Sequence, residues 1–282
     1  ETQSGPAALW NYLGQQWDAE RGEIVERYGR VLELKLYVDF YAPHGSLDDV
    51  IACARADLDA LQSGGVDGVL VTNELSIPYE KKVSGVTLGA MGMVVGALKE
   101  HFTVPYGVEA IYDGDATMEI CAATGAAFTR CLFTGAWAGD LGLVDRDVAK
   151  TLRLKAALRL DELKMFYFVT SEGEVYLNDR SYPDIARSML FNCRPDALVV
   201  GGAAAGVGPG GELLQEVRAV AKGVPVVCGT GCKKETVAQI LQNCDGAFVG
   251  TTFKKDGVFE NRVDAQRVKA FMDTVKQMRG NV

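Results

Sequence analysis

Two short runs near the C-terminus, Gly229-Thr230-Gly231 and Gly250-Thr251-Thr252, set glycine beside hydroxyl side chains. Glycine lets a backbone come close to a ligand, and backbone N–H groups together with threonine hydroxyls suit a phosphate or a sugar. Lys233 to Leu241 reads as a helix that opens directly after the first run and would aim its N-terminal N–H groups at the same place. A third stretch, Gly201-Gly202-Ala203-Ala204-Ala205-Gly206-Val207-Gly208-Pro209-Gly210-Gly211, is too small and flexible for packed core. It reads as a lid or ligand bed in which Gly201 and Gly202 approach the ligand, although no GK[ST] follows to make it a Walker-type loop. The plainer alternative for all three is that glycine permits tight turns.

Acidic residues form the second set. Asp39, Glu74, Glu109, Asp113 and Glu172, with Asn73 and Thr170, close strand-like apolar runs or follow them. Carboxylates on different strands can act as general acid and base when their surroundings drive their pKa values apart, or can coordinate a hard cation such as Mg²⁺. Asp39, Glu109, Asp113 and Arg130 are the catalytic candidates; each carboxylate taken singly also reads as a helix cap or a solvated loop residue. Arg130, inside Phe128-Thr129-Arg130-Cys131-Leu132, is the natural buried partner of Glu33, Glu109 or Asp39, because an unpaired interior charge is very costly. His44 could exchange a proton near neutral pH, but after Pro43 it reads as a surface residue.

The elements that would carry these residues repeat along the chain. The first is Val31 to Asp39, where Leu32, Leu34, Leu36 and Val38 alternate with Glu33, Lys35, Tyr37 and Asp39. Ser46 then caps a helix with Asp49 three residues on, and Gly64-Gly65 stops it. Further strands are expected near 68–72, 104–111, 128–133, 164–170, 196–200, 225–228 and 246–249, each followed by a helical pattern. Eight strands alternating with helices in 282 residues predict a (β/α)8 TIM barrel, with a helical extension over residues 1–30 and the barrel over 31–282. The rival is an open Rossmann-type sheet, but Asp39-Phe40-Tyr41-Ala42-Pro43-His44-Gly45 after the first strand holds no GxGxxG. In a barrel, active sites gather at the carboxyl ends of the strands, which is where both sets of residues fall.

Composition narrows the partners. A net charge of −8 disfavours nucleic acid and anionic membrane surfaces, which call for a basic face. No apolar run approaches the roughly 18 residues of a membrane span, so a soluble, cytoplasmic protein is expected. Seven scattered cysteines, mostly in apolar runs such as Val226-Val227-Cys228, agree with reduced thiols. Cys228 and Cys232 are spaced CxxxC and only two histidines are available, so no metal held by Cys or His is expected. A homo-oligomer is the general expectation for such a chain.

From Gly250-Thr251-Thr252-Phe253-Lys254-Lys255-Asp256-Gly257 through Asn261, Val263-Asp264, Arg267-Val268 and Phe271-Met272, the chain resembles the strand-eight and final-helix signature of the BtpA/SgcQ family. Gly64-Gly65-Val66-Asp67-Gly68, Ala122-Ala123-Thr124-Gly125-Ala126 and Thr134-Gly135-Ala136 add to the match. The resemblance implies a phosphate-binding type of TIM barrel, with one branch tied to photosystem I biogenesis and another to a nucleosidase or sugar-metabolic role. The chain departs from the family pattern after strands one, two, three and five, at 39–45, Thr72-Asn73, Glu109 with Tyr112, and Thr170-Ser171-Glu172.

Two functions follow as expectations. One is an enzyme on a phosphorylated or ribosyl small molecule, with Gly201, Gly202, Gly229, Thr230, Gly231, Gly250, Thr251 and Thr252 holding phosphate or sugar. Glycosidic hydrolysis, lyase and isomerase chemistry stay open for it. The other is a non-catalytic assembly or regulatory factor that uses the barrel as a protein-binding scaffold, which exposure of Trp10, Trp17 or Trp137 would favour.

Overall fold

The computed structural model describes residues 30–32, 46–204 and 206–280. Asp39, His44, Trp10, Trp17, the expected N-terminal helix and the inward residues of the first strand lie outside the described residues.

Eight parallel strands make one sheet: β1 (Arg30–Leu32), β2 (Val69–Thr72), β3 (Tyr106–Glu109), β4 (Phe128–Cys131), β7 (Lys164–Thr170), β9 (Ala197–Val200), β10 (Val226–Cys228) and β11 (Gly246–Phe248). Their order, β1-β11-β10-β9-β7-β4-β3-β2, keeps chain neighbours side by side around a ring. Helices α1 (Leu47–Gly64), α2 (Gly85–Leu98), α3 (Gly114–Thr124), α4 (Val148–Ala157), α5 (Tyr182–Asn192), α6 (Gly211–Val220), α7 (Val237–Asn243) and α8 (Ala265–Met278) alternate with them. This is the expected (β/α)8 barrel.

The strands are apolar on both faces, as parallel strands covered by helices must be. Inward, Leu70, Phe128, Phe166, Ala197, Val199, Val227 and Phe248 fill the interior. Outward, Val69, Val108, Met165, Leu198 and Val226 join the larger core beneath the helices. Gly107 belongs to this packing, because a Cβ there would stand 2.6 Å from the Phe128 ring. Alternation along the strands then turns Thr72, Glu109, Arg130 and Phe168 inward at their carboxyl ends, so these residues form the floor of whatever lies above.

Local signals fix the helices in place. Ser46 and Asp49 form a capping box on α1, and Gly65 ends that helix in the left-handed conformation at φ 88°. Asp57 of α1, almost wholly buried, accepts from the Val263 N–H at 2.9 Å and faces Lys254 Nζ at 3.6 Å and Arg262 at 3.3 Å. This clamp ties the segment after β11 to the first helix and so fixes the Gly250–Thr252 turn.

One element was not anticipated. The strands β5 (Ala136–Gly139), β6 (Gly142–Asp145) and β8 (Glu174–Tyr176) form a small antiparallel sheet in the order β6-β5-β8, built from the segments after β4 and β7. Each has only three or four residues, too few for alternation to stand out. Trp137 of β5 is buried here, donating to the Thr134 carbonyl at 2.9 Å and meeting the Tyr176 ring edge-on at 4.6 Å.

Candidate functional site

At the carboxyl ends of the strands lies an open cleft of about 1300 Å³. The turns after β10 and β11 form one side, and the segments after β2, β3 and β7 form the other. Of the residues expected to bind phosphate or sugar, Gly229, Thr230, Gly231, Gly250, Thr251 and Thr252 line the cleft. Gly201 and Gly202 do not. Both are buried beneath their own loop, and Ala203, Ala204 and Gly206 reach the cleft in their place.

The glycine-rich loop folds back onto the β10 turn. Thr230 Oγ1 accepts from the Gly202 N–H at 2.9 Å and donates to the Val207 carbonyl at 3.1 Å. The contact is so close that a Cβ on Gly231, at φ +70°, would stand 2.0 Å from the Gly208 nitrogen, and one on Gly202 would stand 1.7 Å from the Val207 oxygen. Gly202 and Gly231 are therefore required by the approach of two loops, a role that sequence alone could not separate from ligand contact. Thr252 Oγ1 spends its proton on the Cys232 carbonyl at 2.9 Å, joining the two turns. Thr251 also lines the cleft, and its carbonyl accepts from the Lys254 N–H at 3.1 Å.

The helix expected to open at Lys233 begins only at Val237 and has seven residues. Lys233 to Thr236 form a turn instead, in which the Val237 N–H donates to the Lys233 carbonyl at 2.8 Å. The expected helix N-terminus at the β10 turn is thus set back, and positive charge comes from side chains. Lys233, Lys234 and Arg267 line this side of the cleft, with Glu235 and Asp264 among them. Arg267 is anchored by donating from Nε to the Thr252 carbonyl at 2.9 Å.

The opposite side is acidic and aromatic. Glu109 accepts from Arg130 Nε at 2.9 Å, and both side chains are buried. The Arg130 guanidinium also lies 4.3 Å from the Phe248 ring centroid and 5.5 Å from that of Phe168, so it reaches across the barrel from β4 toward β11 and β7. Glu74 accepts from the Thr72 hydroxyl at 3.1 Å, while Glu172 and Asp140 line the same wall. Asp113 is not part of the cleft lining. Its carboxylate caps α3 through the Ala116 N–H at 3.0 Å and holds the Val83 N–H at 2.8 Å, which gives it a structural role.

Two tyrosines complete the wall. Tyr79 and Tyr112 sit with ring centroids 5.8 Å apart. Burial raises the Tyr79 phenol well above its usual range, and Glu74, Glu109 and Glu172 raise it further while Arg130 opposes them. Burial and the bond to Glu174 do the same for Tyr112, which adopts φ +65° and donates to Glu174. Both phenols stay protonated at neutral pH and serve as hydrogen-bond donors. Tyr79 was missed as a site residue because it lies well beyond its strand, after Ile77-Pro78, where no periodicity points to it.

Among the described residues, no group of three or more His, Cys, Asp or Glu side chains is placed to hold a metal ion. All seven cysteines are free, six of them buried and Cys53 partly exposed. Among the described residues, no helix is long and apolar enough to cross a membrane.

Fold and cleft together define a (β/α)8 barrel whose glycine–threonine turns after the last two barrel strands face a wall of carboxylates. Residues 34–277 match the BtpA family, and the chain belongs to it. It is 42% identical to the sgc region protein SgcQ of Escherichia coli over 230 residues, 82% of this chain and 86% of that one. Identity to the photosystem I biogenesis protein BtpA of Synechocystis is 28% over 236 residues, 83% of this chain and 82% of that one. Among solved structures it is similar in fold to the (S)-3-O-geranylgeranylglyceryl phosphate synthase of Thermoplasma acidophilum in complex with sn-glycerol-1-phosphate. The TM-score is 0.57 at 16% identity, covering 89% of this chain and 95% of that one. A native KDPGal structure gives a TM-score of 0.56 at 14% identity, covering 94% and 98%.

Proposed function

We propose that the protein is an enzyme acting on a phosphorylated or ribosyl small molecule in the cleft at the carboxyl ends of the strands. The observation that carries this reading is the division of charge across the cleft. Lys233, Lys234 and Arg267 stand with the Gly229–Gly231 and Gly250–Thr252 turns and outnumber Glu235 and Asp264 there, while Glu74, Glu109, Asp140 and Glu172 outnumber Arg130 on the other side, beside Tyr79 and Tyr112. A substrate with an anionic end and a polar reacting end matches that division. The turns, the Thr251 hydroxyl and Arg267 hold the phosphate or sugar. Glu109, fixed by Arg130, exchanges the proton. The Tyr79 and Tyr112 hydroxyls, whose protons go to the Glu74 carbonyl and to Glu174, offer their oxygens as acceptors to hydroxyls of the substrate. Glycosidic hydrolysis, lyase and isomerase chemistry all fit a positioned carboxylate beside a cationic guanidinium. The family likeness and the glycerol-phosphate complex of the archaeal synthase agree with a phosphorylated ligand.

The test is a thermal-shift screen with inorganic phosphate, ribose 5-phosphate, nucleosides, nucleotides and Mg²⁺. Wild type is compared with Arg267→Met and Thr251→Val, both on the cleft surface. A ligand at about 100 times its dissociation constant adds about 2.7 kcal/mol, a shift of several degrees. Stabilisation of wild type by a phosphorylated compound, reduced in both variants, supports the reading and names the class to assay. No shift with any compound sinks it in favour of the scaffold.

A further inference from the structure

The exposed face of α2 carries an inference independent of the cleft. We infer that this face is the contact between two copies of the chain, packed antiparallel about α2.

All 14 residues of α2, GVTLGAMGMVVGAL, are uncharged, an unusual pattern for a helix on the outside of a barrel. One face, with Ala90, Met91, Val94, Val95 and Leu98, is buried in the core. The other presents Gly85, Val86, Gly89, Met93, Gly96 and Ala97 to solvent, with Val86 70% and Met93 60% exposed. A Cβ added at Gly85, Gly89 or Gly96 would meet nothing within 4 Å. Nothing within the protomer requires these glycines, although glycine inside a helix is destabilising relative to alanine. A body packed against the helix from outside supplies the missing reason.

The spacing identifies that body as a second copy. In the antiparallel register that sets Val86 against Gly96 of the second copy, Met93 falls on its Gly89 and Gly85 on its Ala97. Each bulky side chain meets a glycine gap, and two-fold symmetry repeats both contacts. Lys82, just before the helix, and Glu100, just after it, are both exposed, and antiparallel packing brings each to the same end as the other in the second copy. Packing and charge thus agree on the antiparallel arrangement.

Area sets the strength. A strip one helix wide is about 21 Å long and about 10 Å across. That gives roughly 200 Å² per copy, a quarter of the ~800 Å² of a standard interface. The helices on either side, α1 and α3, expose the small residues Ala52, Ala56, Ala122 and Ala123, which leave room to widen the contact. The dimer is weak and concentration-dependent.

Sedimentation velocity at about 1, 10 and 100 µM tests this. Wild type is expected to shift from monomer toward dimer across that range. Gly89→Leu, which fills the gap for Met93 and points into open space in the protomer, is expected to keep its melting temperature and stay monomeric. Lys82→Glu should weaken the dimer several-fold, and Lys82→Glu with Glu100→Lys should restore it. The inference is overturned if wild type is monomeric throughout, if Gly89→Leu dimerises like wild type, or if the double charge reversal fails to recover association. A monomer that floats with vesicles of phosphatidylcholine and phosphatidylglycerol also overturns it, since the face would then belong to a membrane surface.

Discussion

Glu109 and Arg130 stand on the adjacent strands β3 and β4, with the Arg130 Nε 2.9 Å from Glu109 Oε2 and their side chains only 5% and 8% exposed. A charge pair at this depth holds its own geometry, because removing either member takes a close buried counterion from the other. Breaking such a pair costs about 3–5 kcal/mol, whereas replacing both members by uncharged groups of similar size is far less damaging. Arg130→Met is therefore expected to lower the urea midpoint sharply, and Arg130→Met with Glu109→Gln to recover most of the loss. If the pair also handles the substrate, turnover stays lost in the double variant although stability returns. Equal stability of the single and double variants would contradict the pairing argument.

Thr230 holds the glycine-rich loop against the β10 turn with one hydroxyl that both accepts and donates. Thr230→Val keeps the shape and removes both bonds, leaving the buried Gly202 N–H without its acceptor, at a cost of about 1–3 kcal/mol. Faster amide exchange at Gly206 to Gly208 is the expected readout, together with a lower denaturation midpoint. Unchanged exchange there would mean that packing of the glycine backbones alone holds the loop. Gly231 is the wrong place to probe ligand binding, because any Cβ at that position strikes the Gly208 backbone and disturbs the loop itself.

The barrel was legible because its signal is repeated. Apolar runs and helical patterns alternate over the whole described length, and a capping box at Ser46 or a glycine stop at Gly65 depends only on nearby residues. The site was legible only in part. Glu109 and Arg130 could be paired because two inward charges on nearby strands need each other. Asp113 could not be sorted, since a carboxylate just after a strand reads the same whether it caps the next helix or faces a ligand, and only the bonds to Ala116 and Val83 decide. Gly201 and Gly202 stayed open for a related reason: glycine marks a close approach without saying whether a ligand or another loop approaches. The β5-β6-β8 sheet and Tyr79 depend on where distant segments return over the barrel, which no local pattern encodes.

Glu174 links the small sheet to the cleft wall, accepting from Tyr112 and from Ser171 Oγ at 2.8 Å. Burial raises its carboxyl above the ordinary 4.5, and the hydrogen bonds from Tyr112 and Ser171 only partly offset this. A folded-state value above the unfolded one means that the folded protein holds the proton more tightly. The contribution to stability is therefore fully present below the unfolded value and is lost as pH rises through the folded value. At neutral pH the ionised carboxylate is a burden on the fold. Glu174→Gln removes the charge and keeps an acceptor oxygen for Tyr112, while the Ser171 hydroxyl turns to accept from the amide N–H, so its melting temperature should exceed that of wild type at pH 7. The difference should shrink toward zero as pH falls to about 4, where wild type carries the proton itself. Melting curves of the two proteins across that range check the sign. A variant that melts below wild type by the same margin at every pH would show that the hydrogen bonds to the carboxylate, rather than its burial, dominate at this position.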